Sequence, residues 1–286
     1  MTRSPVTVVV LNWNGFEDTR RCVESLRRLD YPSLSIIVVD NGSTDDSAAR
    51  IEAELPEVEL IRSERNLGFA GGVNLGIRRA LEGDAAYVWL LNNDATAEPG
   101  TLSALVDEAE RDEHVGIVGG VLRDPSGRVE WGGGRINRWT GVSRPARPGR
   151  RLDYVSGACM LVRRAVFDEV GLFDEAFFFY FEDADLCARA RQAGWRLAVA
   201  PEARVEHEVG ASVKPAGWAD RAQVASSGRF IGKHFGRRAG IAAALRLLGI
   251  AANRVRRGQA RELPGLTRAL LRGVRATREP AAPRAA

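Results

Sequence analysis

Three short apolar runs stop abruptly on amides or acids: VTVVVLN from Val6 to Asn12, LSIIVVD from Leu34 to Asp40, and AYVWLLNND from Ala86 to Asp94. Each is too short for a helix and reads as a strand buried on both faces. Between the first two, Phe16, Val23, Leu26 and Leu29 recur at helical spacing and end near Pro32. After Asp40 the stretch Asn41-Gly42-Ser43 leads into a second helix, with Ser43 or Thr44 as the expected N-cap. Val58 to Arg62 reads as a third strand, and NLGFAGG from Asn66 opens a helix that runs through Leu81. Strands alternating with helices across short loops imply right-handed crossovers and a mainly parallel sheet. In such a sheet the loops that follow strands share one edge, where ligands bind. Asn12, Asp40, Asn66 and Asp94 are expected together there. Asp94, just past a buried strand in LLNNDA, suits a hard cation; a polar turn satisfied by its own backbone is the other reading.

The remaining pattern extends this architecture. Pro99 to Arg111 reads as a helix with proline in its first turn, and Val115 to Leu122 as a strand. Arg123 to Arg151, rich in Gly, Arg and Pro and containing Trp131 and Trp139, reads as a hairpin and a mobile loop over the site. Asp153 to Val162 returns to a buried strand in which Gly157 marks either a close backbone approach or simple packing against a helix. Phe177 to Phe181 is an unbroken aromatic run that enters Glu182-Asp183-Ala184-Asp185 at the head of a helix ended by Gly194. Acids in a first turn can be mere caps. Against an aromatic wall they also offer a partly desolvated general base. Asp185 and Arg189, spaced i and i+4, suit a structural ion pair, which leaves Glu182 and Asp183 for chemistry. His207, expected after a strand ending at Pro201, is either a surface residue or a metal ligand; His114 and His234 have no such setting.

Composition matters chiefly for what it excludes. Of 286 residues 45% are hydrophobic and 27% charged, which rules out collagen-like, disulfide-framework and wholly disordered chains. Cys22, Cys159 and Cys187 form no CxxC pair, so a zinc ribbon is excluded and a reducing, cytoplasmic setting is expected. The N-terminus shows no signal-peptide pattern, and no apolar run is long enough to span a bilayer. The net charge of +4 hides an asymmetry: from Gly228 onward 14 Lys and Arg stand against Glu262 and Glu279. Leu245, Leu248 and Ala252 share one helical face there, and Leu263, Leu266, Leu270 and Val274 another. Arginine-rich amphipathic helices of this kind fit an anionic membrane surface, a helical appendage packed on the core or, least well, RNA. The expected division is a catalytic domain over 1–227, a basic amphipathic helical extension over 228–278 and a disordered tail over 279–286.

Taken in order, VVVLNWNG, VVDNGSTDDS, ERNLGFAGGVNLGI, LLNNDA, SGACMLVRR, GLFDEAFFFYFEDADLCARARQAGW and VEHEVGAS resemble the inverting GT-A glycosyltransferases of family 2, particularly the bacterial rhamnosyltransferase-like branch. The resemblance covers Val6 to about Ser212. It implies an α/β fold of the nucleotide-diphospho-sugar transferase type, with a mainly parallel central sheet and, here, a C-terminal basic helical extension. It implies a nucleotide-sugar site in which Asp40 bonds the base, Asn12 lines the same pocket, Asn66 and Gly68 close over the nucleotide, and Asn92 and Asn93, within the metal motif, also bind the nucleotide sugar. Asp94 resembles the last acid of that DxD motif and His207 its distal ligand, for Mg²⁺ or Mn²⁺. Asn92 stands where the first acid often stands, so one carboxylate is missing. Asp183 resembles the catalytic base, with Trp131, Gly157 and Glu182 on the acceptor side. The implied partners are a nucleoside-diphosphate sugar, dTDP-rhamnose before a UDP-sugar, and a glycan or lipid-linked acceptor; the basic tail adds an expected contact with the anionic inner face of the plasma membrane, and no nucleic acid is expected, as nothing resembles a nucleic-acid fold. A sugar nucleotidyltransferase would carry a glycine-rich, arginine-bearing loop after the first strand, which NWNGFEDTR does not supply. A degenerate nucleotide-sugar binder at the membrane is the non-enzymatic alternative.

Overall fold

The computed structural model describes residues 3–146, 149–208 and 218–277. The first half runs β1 (Val6–Asn12), α1 (Phe16–Leu26), β2 (Leu34–Asp40), α2 (Ser47–Glu54), β3 (Glu59–Arg62), α3 (Gly68–Glu82), β4 (Tyr87–Asn92), β5 (Ala95–Ala97) and α4 (Thr101–Glu110). There follow β6 (Val115–Arg123), β7 (Val129–Trp131), β8 (Gly133–Ile136), β9 (Ser143–Pro145), β10 (Tyr154–Val155), β11 (Cys159–Arg163), α5 (Arg164–Val170), α6 (Glu182–Gln192) and β12 (Arg196–His207). The C-terminal helices are α7 (Trp218–His234), α8 (Ala239–Arg256) and α9 (Leu263–Ala276).

The main sheet has the order β3-β2-β1-β4-β11-β6-β12-β5, with β7 on β6. β1, β2, β3 and β4 are mutually parallel, as are β6 and β12, while β11 runs antiparallel between β4 and β6. The carboxyl ends of β1, β2, β4, β6 and β12 therefore meet along one edge. The apolar runs are continuous because both faces are covered: Val8, Val10, Trp89 and Leu91 pack with α1 and α4, and Val9, Val88 and Leu90 with α3 and α6. At Gly76 a methyl group would sit 2.5 Å from Val9 Cγ1, so its absence sets how closely α3 approaches β1.

Three boundaries differ from the sequence reading. The helix after Asp40 starts at Ser47 with Asp46 at its N-cap position, because Ser43 is drawn back to bond Asp40. The strand expected over Asp153 to Val162 is two strands, β10 and β11, broken at residues 156–158. The region expected as a hairpin and mobile loop does form hairpins, β7 returning along β6 and β9 along β8, and β8 also joins β10 in a small antiparallel sheet. β12 passes through Pro201 rather than ending there; the register shift between Val199 and Arg204 absorbs the proline, as a bulge does.

The C-terminal helices share their own core of Val224, Leu266, Leu270 and Val274. α7 and α9 cross where a Cβ on Gly273 would meet the Ala225 carbonyl at 2.1 Å. Residue 228, the expected start of the extension, falls inside α7, which is one continuous helix from Trp218. Of the readings open for the apolar face of α9, a membrane surface or packing within the protein, the structure shows packing. α8 keeps the exposed stripe: Ile241, Leu248 and Val255 are each more than half exposed, with Leu245 between them. The expected tail over 279–286 lies outside the described residues.

Candidate active site

At the carboxyl edge, β1 and β2 are in register so that Asn12 faces Asp40. Asn12 Nδ2 donates to Asp40 Oδ1 at 2.7 Å and to Ser43 Oγ at 3.1 Å, and the Ser43 amide donates to Asp40 Oδ2 at 3.2 Å. Asn14, left-handed at φ 51°, joins the two loops further, its amide on Ser43 Oγ and its side-chain oxygen on the Thr44 amide. Thr19 donates to Asn12 Oδ1 at 2.9 Å and accepts from Asn93 Nδ2 at 3.2 Å. A continuous polar chain thus runs from Asp40 through Asn12 and Thr19 to Asn93. Asn12 is wholly buried and Asp40 is 3% exposed, so in this structure they are struts of the pocket rather than its open lining. Thr19, Ser43 and Asn14 carried no signal in the sequence beyond being small and polar in loops or a first turn.

The loop before α3 is closed by Asn41, whose side chain bonds the Leu67 amide, the Gly68 carbonyl and Asn66 Oδ1. Gly68 has φ +76°, and a Cβ there would strike the Phe178 carbonyl at 2.4 Å. The Phe69 amide donates to that carbonyl at 2.8 Å. The loop holding Asn66 and Gly68 is therefore seated on the aromatic segment that precedes α6.

Asp94 and His207 come together through backbone pairing. β5 begins directly after Asp94 and pairs antiparallel with the end of β12, His207 opposite Ala95, while the Glu208 amide donates to the Asp94 carbonyl at 3.0 Å. His207 Nε2 lies 3.2 Å from Asp94 Oδ1 and 3.2 Å from Asn92 Nδ2. That Asp94 oxygen is buried and accepts no hydrogen bond. A buried carboxylate oxygen left without a donor, beside an imidazole nitrogen, is a donor pair that suits a divalent cation. The surroundings favour it too. An open cleft of about 460 Å³ here is lined by Asp18, Arg21, Asp94, Arg123, Glu206 and His207 among others. Burial raises the Asp18 carboxyl above the ordinary range in spite of Arg21, and the charges of Asp94 and Glu208 push the same way. Among the described residues no group of three His, Cys, Asp or Glu side chains is placed to hold a metal.

Asp183 stands one short bridge away. The break between β10 and β11 turns residues 156–158 so that the Ala158 carbonyl accepts from the Asn92 amide at 3.1 Å and the Gly157 amide donates to Asp183 Oδ2 at 3.2 Å. A Cβ on Gly157 would lie 3.3 Å from the Phe69 ring and 3.8 Å from Asp183 Cβ, which places Gly157 against the acid itself. Burial pushes the Asp183 carboxyl above its ordinary value, although the Ala184 and Gly157 amides bond it and oppose the rise. Glu182 is only 6% exposed at the head of α6. Trp131 sits in β7 opposite Val121, and its side chain lies outside the described residues. Asp185 and Arg189 form the expected pair at 2.8 Å. His234, given no role in the sequence reading, bonds the same carboxylate at 2.7 Å.

Two solved structures share this architecture. A mannosyltransferase of Pyrobaculum calidifontis, in complex with GDP-Man and Mn²⁺, superposes with a TM-score of 0.61 at 18% identity over 96% of this chain and 88% of its own. GalNAc-T7, crystallised with UDP, GalNAc and Mn²⁺, superposes at 0.66 and 17% identity over 82% of this chain and 49% of its own. In sequence the chain is 33% identical over 229 residues to the N-acetylglucosaminyl-diphospho-decaprenol L-rhamnosyltransferase of Mycobacterium tuberculosis, covering 70% of this chain and 75% of that protein. Residues 7–171, from β1 to the end of α5, match the family pattern. By that match and by the fold that gathers Asp94, His207 and Asp183 at one edge, the chain belongs to glycosyl transferase family 2.

Proposed function

We propose that this glycosyltransferase moves a sugar, rhamnose in first place, from a nucleoside diphosphate to a hydroxyl of a cell-envelope glycan or polyprenyl-diphosphate-linked acceptor, with inversion. The observation that carries the reading is the bridge Asn92, Ala158, Gly157, Asp183, which sets a partly buried carboxylate beside the Asp94 and His207 pair. Asp94 and His207 would hold Mg²⁺ or Mn²⁺, which when bound supplies positive charge against the departing diphosphate. Asp183 accepts the proton of the acceptor hydroxyl as that oxygen bonds the anomeric carbon. The bond from that carbon to the diphosphate breaks on the opposite face, and the diphosphate leaves with the bonding pair. One displacement inverts the centre. A carboxyl raised by burial is the stronger base at neutral pH.

The donor preference rests on the rhamnosyltransferase relative, and the lipid-linked acceptor on the decaprenol diphosphate in that relative's name. Among the described residues no helix is long and apolar enough to cross a membrane. Contact with the inner face of the plasma membrane is assigned to α8, whose exposed stripe is flanked by Arg237 and Arg238 at one end and Arg256 and Arg257 at the other. A screen of nucleotide sugars for thermal stabilisation, with and without Mn²⁺, tests the donor site, since a bound ligand raises stability by mass action. dTDP-rhamnose is expected to stabilise most and to depend on the cation. Stabilisation by none of the sugars, or product that retains the donor configuration, would sink the reading.

A further inference from the structure

The segment that presents Asp183 does not hold its own shape. Tyr180 and Phe181, the two residues before α6, are both left-handed at φ 68° and 66°. Side chains adopt that region only where their surroundings enforce it. α7 grips them, together with Ile136 and Tyr154 of the small sheet. Ser226 Oγ donates to the Phe179 carbonyl at 2.8 Å, and the Phe230 ring stands 5.5 Å from that of Phe181. Asp185, two residues past Asp183 and wholly buried, has Arg189 Nε of its own helix at 2.8 Å. It also has two cationic or protonatable partners from α7: Lys233 Nζ at 2.8 Å and His234 Nε2 at 2.7 Å. Lys233 reaches Asp174 as well, at 2.7 Å. One ammonium therefore ties the chain before the aromatic run to the helix after it.

Arg189 alone would serve an ordinary i, i+4 pair. The α7 groups add bonds between elements, so the placement of α6 depends on α7. The geometry points to α7 as a positioning brace for the general base: Ser226, Lys233 and His234 hold the left-handed turn and the first turn of α6 so that Asp183 stays on the Gly157 amide. These residues touch no substrate and act through Asp183. The inference rests on Asp183 being the base.

The test uses the full chain with dTDP-rhamnose and a synthetic polyprenyl-diphosphate acceptor, comparing His234→Ala, His234→Gln and Ser226→Ala with Asp183→Asn. Small misplacements of a reacting group cost up to about 100-fold, so His234→Ala is expected to lower kcat by about tenfold or more. Donor KM should change less than kcat, because Asp40, Asp94 and His207 lie outside the braced segment and only the loop of Asn66 and Gly68 rests on it, through the Phe178 carbonyl. His234→Gln, whose amide can still donate to Asp185, should recover most of the lost kcat. Amide hydrogen exchange over residues 177–185 should quicken in the alanine variant, and that measurement needs no donor. If His234→Ala does not fold, Ser226→Ala, which deletes one hydroxyl, decides by the same split of kcat from KM. Full activity in Asp183→Asn overturns the base and the brace together. An inactive Asp183→Asn beside folded alanine variants of unchanged kcat and unchanged exchange overturns the brace alone.

Discussion

Asp183 and Asp94 are both carboxylates near one sheet edge, and their surroundings assign them different work. Asp183 is raised by burial and bonded by two amides, so it can take a proton; Asp94 has a buried oxygen with no donor, so it can take a cation. Replacing Asp183 by Asn keeps the shape and removes the proposed base. Transfer should fall by about 10²–10⁴-fold while calorimetry still finds donor binding; equal turnover would remove Asp183 from the mechanism. The pH profile follows from the same shift. The base works deprotonated, so kcat/KM should fall as pH drops through a value above the 3.8 of an ordinary aspartate, and the Asn variant should lack that limb. His207→Ala leaves Asp94 as the remaining member of the pair. Its activity should need more Mn²⁺ than the parent enzyme, read as a rightward shift in metal titrations after chelation, and an unshifted curve would take His207 out of the site. Of these residues the sequence displayed identity but not company. LLNNDA and EDAD were visible as acids after an apolar or aromatic run. That Asp40 spends its oxygens on Asn12 and Ser43 depends on side-by-side register of two strands, which no local pattern encodes.

At the level of elements, alternation of short apolar runs with helical spacing was enough to read β1 to β4 and β6, though not the three-residue β5. β-Branched strands buried on two faces look alike in any such fold. β11 read as a strand, but its antiparallel sense did not, since direction depends on where the chain has come from rather than on its composition. β12 was cut short at Pro201 because proline ordinarily ends a ladder; the bulge that accommodates it carries the strand on to His207, and three-residue β5 then sets Asp94 beside it. The pairing of α6 with α7 was equally hidden, as 49 residues separate Asp185 from His234. Burial pushes the Asp185 carboxyl up, but the His234 bond and the charges of Arg189 and Lys233 outweigh it and hold it at about 2. A folded value below the unfolded 3.8 means stability that is complete above that pH and lost as pH falls through about 2. Acid unfolding should therefore show about 2 kcal/mol of pH-dependent stability that vanishes in Asp185→Asn, and identical pH slopes in the two proteins would contradict it.

For the molecule as a whole, charge and apolar surface are sorted by region. The acid-rich cleft lies on the sheet edge, and the arginines gather on helices whose interior is already filled by α9 packing on α7. Among the described residues that leaves α8 as the apolar face proposed to meet lipid. Binding to vesicles containing anionic lipid should weaken with rising salt and drop sharply in Leu248→Glu, measured by co-sedimentation; binding unchanged by the substitution would place the contact elsewhere. The sequence reading found the basic, amphipathic character of this region but spread it over two helices, because a stripe that faces lipid and a stripe that faces a neighbouring helix have the same spacing.

The partnership of Asp185 with Lys233 and His234 also bears on how the chain comes into being. During synthesis the domain can begin to form as soon as β12 has left the ribosome. The carboxylate destined to be wholly buried then still lacks its last partner, which lies 49 residues after it in the chain. Until α7 emerges, the first turn of α6 has Arg189 alone to pair its acid, and the left-handed turn before it has the packing of Ile136 and Tyr154 but not the grip of Ser226 and Phe230. A nascent chain at that stage could gather the donor pocket while its proton acceptor remained misplaced, so competence for transfer would arrive late in translation, after the ability to bind a nucleotide.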